Sequence, residues 1–190
     1  MDLTDAFDRH SRGCVILFTR DSPCLGRLSD ALEAADRRTV VLWALENAAR
    51  VAYGLEASHP DDPRPSAALS ACTSWSMGDV LMPVAKRAIL DVHAMARDMD
   101  HPADAALCHA MGQGCSCVHT PKHVLGLPVY ELTATYIRGD GDPGEIGRLV
   151  LMYEESLVHA EQFPVSSRRW APFLIGRRGD CFILKRITIS

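Results

Sequence analysis

Six side chains able to ligate a metal or supply a nucleophile fall within sixteen residues: Cys108, His109, Cys115, Cys117, His119 and His123. His119 and His123 are four positions apart, so a continuous helix would set both imidazoles on one face, as a divalent ion requires. Pro121 stands between them, however, Cys115 and Cys117 are one residue closer than in the usual cysteine knuckle, and no second cysteine pair follows. The competing reading is structural: histidines that hydrogen-bond neighbouring helices, and cysteines that fill a tight contact. A cysteine nucleophile needs a thiol of depressed pKa and a base oriented by a third group, and nothing in the cluster marks either.

Other chemistry-bearing residues lack the setting that their chemistry needs. Ser70, Ser74 and Ser76 have no flanking nucleophile-elbow glycines, and Gly112-Gln113-Gly114 lacks the strand–turn–helix context of a phosphate loop. Glu154 and Glu155 are adjacent, so on a helix they point apart. Gly139-Asp140-Gly141-Asp142-Pro143-Gly144 resembles a calcium loop only in part, because the third ligand position and the distal bidentate Glu are missing. Asp142, Pro143 and Glu145 read instead as helix cap, first helical residue and capping-box acid. No catalytic residue and no cofactor is expected. The candidate binding residues are Trp43, Asp62, Arg64, Trp75, His119 and His123, the two histidines being the only metal candidates. Asp62 and Arg64 lie in the proline-stiffened loop His59-Pro60-Asp61-Asp62-Pro63-Arg64-Pro65. There Arg64 can fork onto Asp62, or onto Glu46 or Glu56, and clamp the loop. Trp43 and Trp75 belong in a core, or at a groove where they would anchor a partner.

The elements that would position these residues read as helices. Residues 25–35 and 37–57 come first, and Val40-Val41-Leu42-Trp43-Ala44-Leu45 is apolar on every side, the mark of a central helix. A helix to about Met77 follows the proline loop. Gly78 stops it, and Asp79 is placed to cap a helix that carries Leu81, Ala85, Ala88, Ile89, Val92 and Met95 through about Met99. His101-Pro102 opens the next, Thr120-Pro121 breaks it, and a further segment ends near Arg138 with a kink expected at Pro128. The helix after Asp142 should reach about Phe163, with a last turn or two in residues 165–175. Two short β-branched runs, residues 13–19 and 182–189, are candidates to pair as a two-stranded ribbon joining the ends. The expectation is an all-α fold, an antiparallel helical bundle in one domain spanning residues 1–190.

Composition narrows the partners. Twenty Lys+Arg against 24 Asp+Glu leave a formal charge of -4, which is no basic footprint for a phosphate backbone, so nucleic acid is not expected. No apolar run approaches the roughly 20 residues that span a bilayer, and the first residues carry no signal pattern, so membrane attachment is not expected and the cytoplasm is. Only Lys86, Lys122 and Lys185 are lysines. Seven cysteines are an odd number with no secreted framework in their spacing.

From about Asp36 to Arg138 the order of features resembles the immunity-five-like family associated with bacterial polymorphic toxins. The matching residues are Leu42-Trp43-Ala44 with Glu46 and Ala49, the loop from His59 to Pro65 with Ala68, then Trp75 and Gly78. Ala88, His93, Ala96-Arg97, His119, Pro121, His123, Gly126 and Tyr130 continue it. The Asp-x-Arg-Pro loop after a Trp-bearing helix is the distinctive part. The resemblance implies an all-α fold and a protein that sequesters a toxin through a protein–protein contact, leaving residues 1–35 and 139–190 as flanking elements. The alternatives are a small metal-binding protein or enzyme built on residues 108–123, and a structural or ligand-sensing helical module.

Thiol titration in denaturant is expected to find most of the seven cysteines free. A count of one or none would contradict this.

Overall fold

The computed structural model describes residues 2–163 and 167–175. Among these the regular structure is helical, with eight α-helices and no strand: α1 Thr4–Ser11, α2 Gly26–Ala34, α3 Arg37–Ser58, α4 Arg64–Met77, α5 Met82–Met95, α6 Pro102–Ser116, α7 Gly126–Arg138 and α8 Pro143–Gln162. Most boundaries follow local chemistry. The Asp36 side chain accepts from the Arg38 amide at the start of α3, His101 Nδ1 accepts from Ala103 at the start of α6, and Asp142 accepts from Gly144 at the start of α8. Gly78 closes α4 in the left-handed conformation, with φ 82°.

Helix α1 forms where the sequence offered no legible periodicity, and three expectations are corrected. Asp79 does not cap α5, which starts at Met82 behind an extended Leu81, and Asp79 pairs with Arg169 instead. Pro128 falls in the first turn of α7, where its missing N–H takes no bond away from the helix. Residues 13–19 form no strand. They run as irregular chain that buries Leu17 and Phe18, with the Leu17 amide donating to Thr133 Oγ1 at 3.2 Å. The proposed partner run, residues 182–189, lies outside the described residues.

Helix α3 is central because it is buried all round from Thr39 to Leu45 and continues the buried face through Asn47, Ala48, Val51, Ala52 and Leu55, packing against α4, α6 and α8. Helix α6 is the second hub, in contact with α3, α4, α5 and α7. Gly114 lets it approach closely: a Cβ there would land on Leu127 and come within 3.1 Å of Ala48. The buried side chains form one cluster from Leu3 to Leu174. At its centre Trp43 is fully buried, and its indole N–H donates to the Tyr153 carbonyl at 3.1 Å and to Ser156 Oγ at 2.9 Å, fastening α3 to α8.

One charged group sits inside this core. Glu131 of α7, 7% exposed, receives Arg50 of α3 in a bidentate pair at 2.5 and 2.6 Å and also accepts from the Tyr153 hydroxyl of α8. Burial first, and the Glu131 charge second, push the Tyr153 phenol well above its ordinary range, so it stays protonated and donates. Glu131→Gln leaves Arg50 without its counter-charge. Because Arg50 is itself partly solvated, the expected loss is about 2 kcal/mol, read as a fall in Tm of roughly 4–8 °C. An unchanged Tm would show that the carboxylate does not hold these helices.

Candidate functional site

The loop between α3 and α4 carries the surface chemistry. Arg64, at the start of α4, forks onto Asp62, with Nε 2.9 and 3.0 Å from the two carboxylate oxygens and a terminal nitrogen at 2.5 Å. Its other terminal nitrogen reaches Asp98, in the turn after α5, at 2.7 Å. Asp62 also accepts from the Arg64 amide at 3.0 Å, which folds the loop back on itself. The Arg64 hydrogen bond holds the Asp62 carboxyl below the usual carboxylate range. Glu46 and Glu56 take no part: the partners are the carboxylate two residues back and one from another turn. Beside the clamp, Asp104 at the start of α6 lies 3.1 Å from His59 Nε2 and pairs through its other oxygen with Arg138 at the end of α7. The ends of α3, α6 and α7 thus meet at Asp104, and the loop before α4 is tied to the turn after α5 by Arg64.

The other candidates are dispersed. Trp43 has no exposed surface and Trp75 only 5%, so neither presents a face to a partner. Trp75 is stacked between Phe173 and His119, with ring centroids 5.5 and 5.7 Å away. Residues 167–175 cover it, fastened by the Ala171 amide donating to the Ser76 carbonyl at 2.8 Å and by Arg37 over the Phe173 ring. His119 lies in the turns after α6 and His123 closes the short 3-10 turn Pro121–His123, so the shared helical face that a metal pair needs does not form. His123 Nδ1 instead meets Gln113 Oε1 at 2.6 Å. Among the described residues no three of His, Cys, Asp and Glu are placed to share a metal ion.

The buried cysteines Cys72, Cys108, Cys115 and Cys117 sit as small side chains within the apolar core. Cys108 is buried, and desolvation pushes its thiol up to about 12. Cys115, hydrogen-bonded to Cys72, is likewise raised well above its ordinary range, and none of these buried thiols is poised as a nucleophile.

Two contacts were missed from the sequence. One is the Arg50–Glu131–Tyr153 centre, for which the signal was a lone carboxylate amid the apolar residues of α7. The other is His93 of α5 facing His109 of α6, Nδ1 to Nδ1, at 3.0 Å. Their separation in sequence matches no local motif.

Exposed apolar residues occur on several elements, among them Val15 and Tyr53, and three of them, Leu81, Met82 and Val84, stand together at the start of α5. From there a groove of about 630 Å³ runs between α4 and α5 over Ala67, Ala71 and Ala88 to Arg64, with Arg87 and Asp91 on its rim. The clamp therefore borders this groove.

Arg64→Ala is expected to lower stability by about 1 kcal/mol, because the pair is well formed but partly solvated. The depressed Asp62 carboxyl gives the sign with pH. Its contribution is present above the unfolded-state value near 3.8 and is lost as pH falls below it, so the gap between native chain and variant should close in acid. Thermal unfolding at pH 7 and pH 3 measures both; a gap that widens in acid would contradict the clamp.

No helix among the described residues is long and apolar enough to cross a membrane. No curated protein and no solved structure matches the chain. A family model described as Imm-5 like putative immunity protein matches residues 30–150, from the end of α2 into α8 and well over half of the chain. It takes in the Asp62–Arg64 clamp, both hub helices and the α4–α5 groove, and the chain accordingly belongs to this Imm-5 like family.

Proposed function

We propose that the chain is a cytoplasmic immunity protein that neutralises a bacterial toxin by direct binding, without catalysis, and that the toxin docks on the α4–α5 groove. Family membership is the observation that carries the reading. The groove supports the location, because it joins the two ingredients of a specific interface: an apolar centre and a rim of fixed polar groups. Val84, with Pro83 and Ala88 beside it in the groove, offers apolar area that folding leaves in water. Asp62 and Asp98 are held in position by Arg64, and Asp91 by Arg87. Three carboxylates against two arginines, on a chain of formal charge -4, favour a basic partner face. Val84, Arg87 and Asp91 stand on α5, and Asp62 and Asp98 are pinned by Arg64, so little conformational entropy is lost on docking. An antiparallel arrangement of the helices within one folding unit would keep both walls of the groove rigid.

The test is co-expression with a toxin encoded beside this gene. Rescue of growth and a stable co-purifying complex are expected, and Val84→Glu should weaken that complex at least tenfold, about 1.4 kcal/mol, while leaving Tm unchanged. Absence of both rescue and complex would sink the reading. Full binding by Val84→Glu would move the interface off this groove.

A further inference from the structure

The His93–His109 pair belongs to neither the clamp nor the groove. The rings meet in line: their centroids are 5.3 Å apart with the Nδ1 atoms 3.0 Å apart, so the separation beyond the hydrogen bond is the depth of the two rings. Both lone-pair directions then lie along one axis. That is the geometry of a proton shared between two nitrogens, whereas the ligands of a chelate converge at an angle. Each ring is part-buried and is backed by a neighbour. A Cβ on Gly112 would overlap the His93 ring, and Tyr130 of α7 stands against His109 with centroids 5.2 Å apart.

We propose that this pair is an acid-sensitive latch between α5 and α6, closed while one proton lies between the two Nδ1 atoms and open when both rings are charged. In the closed state one ring donates from Nδ1 and the other accepts. A first extra proton goes to the free Nε2 of the donating ring and leaves the bond intact. A second must occupy the accepting Nδ1 itself, so the bond is lost and two cations face each other across the seam. Among the described residues, no acidic group acts on either ring. The charge-bearing neighbours of His93 are His109 and His123, both basic, and burial is what acts on His109. His123 in turn faces Arg20 and His119, and Tyr130 is the titratable group facing from α7. Burial first, then these neighbours, push His93 down to about 4, and burial pushes His109 down as well. Since the folded values lie below those of the unfolded chain, the latch is fully present above about 6.5 and is lost as pH falls toward about 4. Helix α5 is also one wall of the α4–α5 groove, so an open latch loosens that wall, whatever the partner's identity.

Proton NMR of the imidazole resonances in the native chain, combined with thermal unfolding between pH 7.5 and pH 4.5 (about three units, spanning the ordinary histidine range), tests this without any partner. His93 should titrate at least one unit below ordinary imidazole. The native Tm should fall with pH by several degrees more than that of the double variant His93→Asn/His109→Asn, which keeps neutral hydrogen-bonding groups at both positions. Parallel Tm profiles would overturn the proposal. If the variant does not fold, the native titration decides alone, because midpoints at or above 6.5 for both rings would overturn it too.

Discussion

A carboxylate buried among apolar side chains cannot be left alone, and Glu131 sets the arrangement of three helices for that reason. Removing a charge from water costs several kcal/mol unless paired and hydrogen-bonded partners replace the solvent. Here Arg50 arrives from α3 and Tyr153 from α8, so the position of α7 relative to both is specified by directional bonds as well as by packing. Apolar surfaces can slide past each other at small cost; a bidentate guanidinium and a phenol cannot. The Arg50 guanidinium also lies 5.5 Å from the centre of the Tyr153 ring, and Trp43 donates to the carbonyl of that same residue. The polar centre and the aromatic core therefore share one residue.

Around this centre the fold relies on close approach. Helices α3 and α6 are rich in small side chains, and Gly114 and Gly112 mark where neighbouring side chains occupy the space of a missing Cβ. The same tightness holds the Cys115 thiol protonated, through its hydrogen bond to Cys72 and burial, and the Cys117 thiol through burial, and it packs the His93 ring against Gly112. A well-packed interior leaves a newly charged group nowhere to go.

The outer surface follows from what the core excludes. Residues 167–175 cover Trp75, whereas Val84 at the start of α5 and Tyr53 on the outer side of α3 remain in solvent. The clamp of Asp62, Arg64 and Asp98 has a double consequence. It ties the loop before α4 to the turn after α5, and in doing so fixes the carboxylates that border the groove. On the proposed docking reading, the residues that tie the loop to the turn are also those a partner would meet.

Local chemistry determined much of this molecule. Caps at Asp36 and Asp142, the stop at Gly78, the proline loop and the apolar run of α3 act within a few residues, and their consequences are readable from the chain alone. The pairing of Arg64 with Asp62 belongs with them, since two residues and three prolines leave little freedom. What only the tertiary structure decided are the contacts between groups distant in sequence. Arg50 met Glu131, Arg64 found Asp98 in place of Glu46 or Glu56, His93 met His109, and His119 and His123 were parted by turns. The reason is that helix packing chooses which faces meet, and that choice comes from the summed burial of many side chains, whereas caps and turns depend on a few neighbours along the backbone.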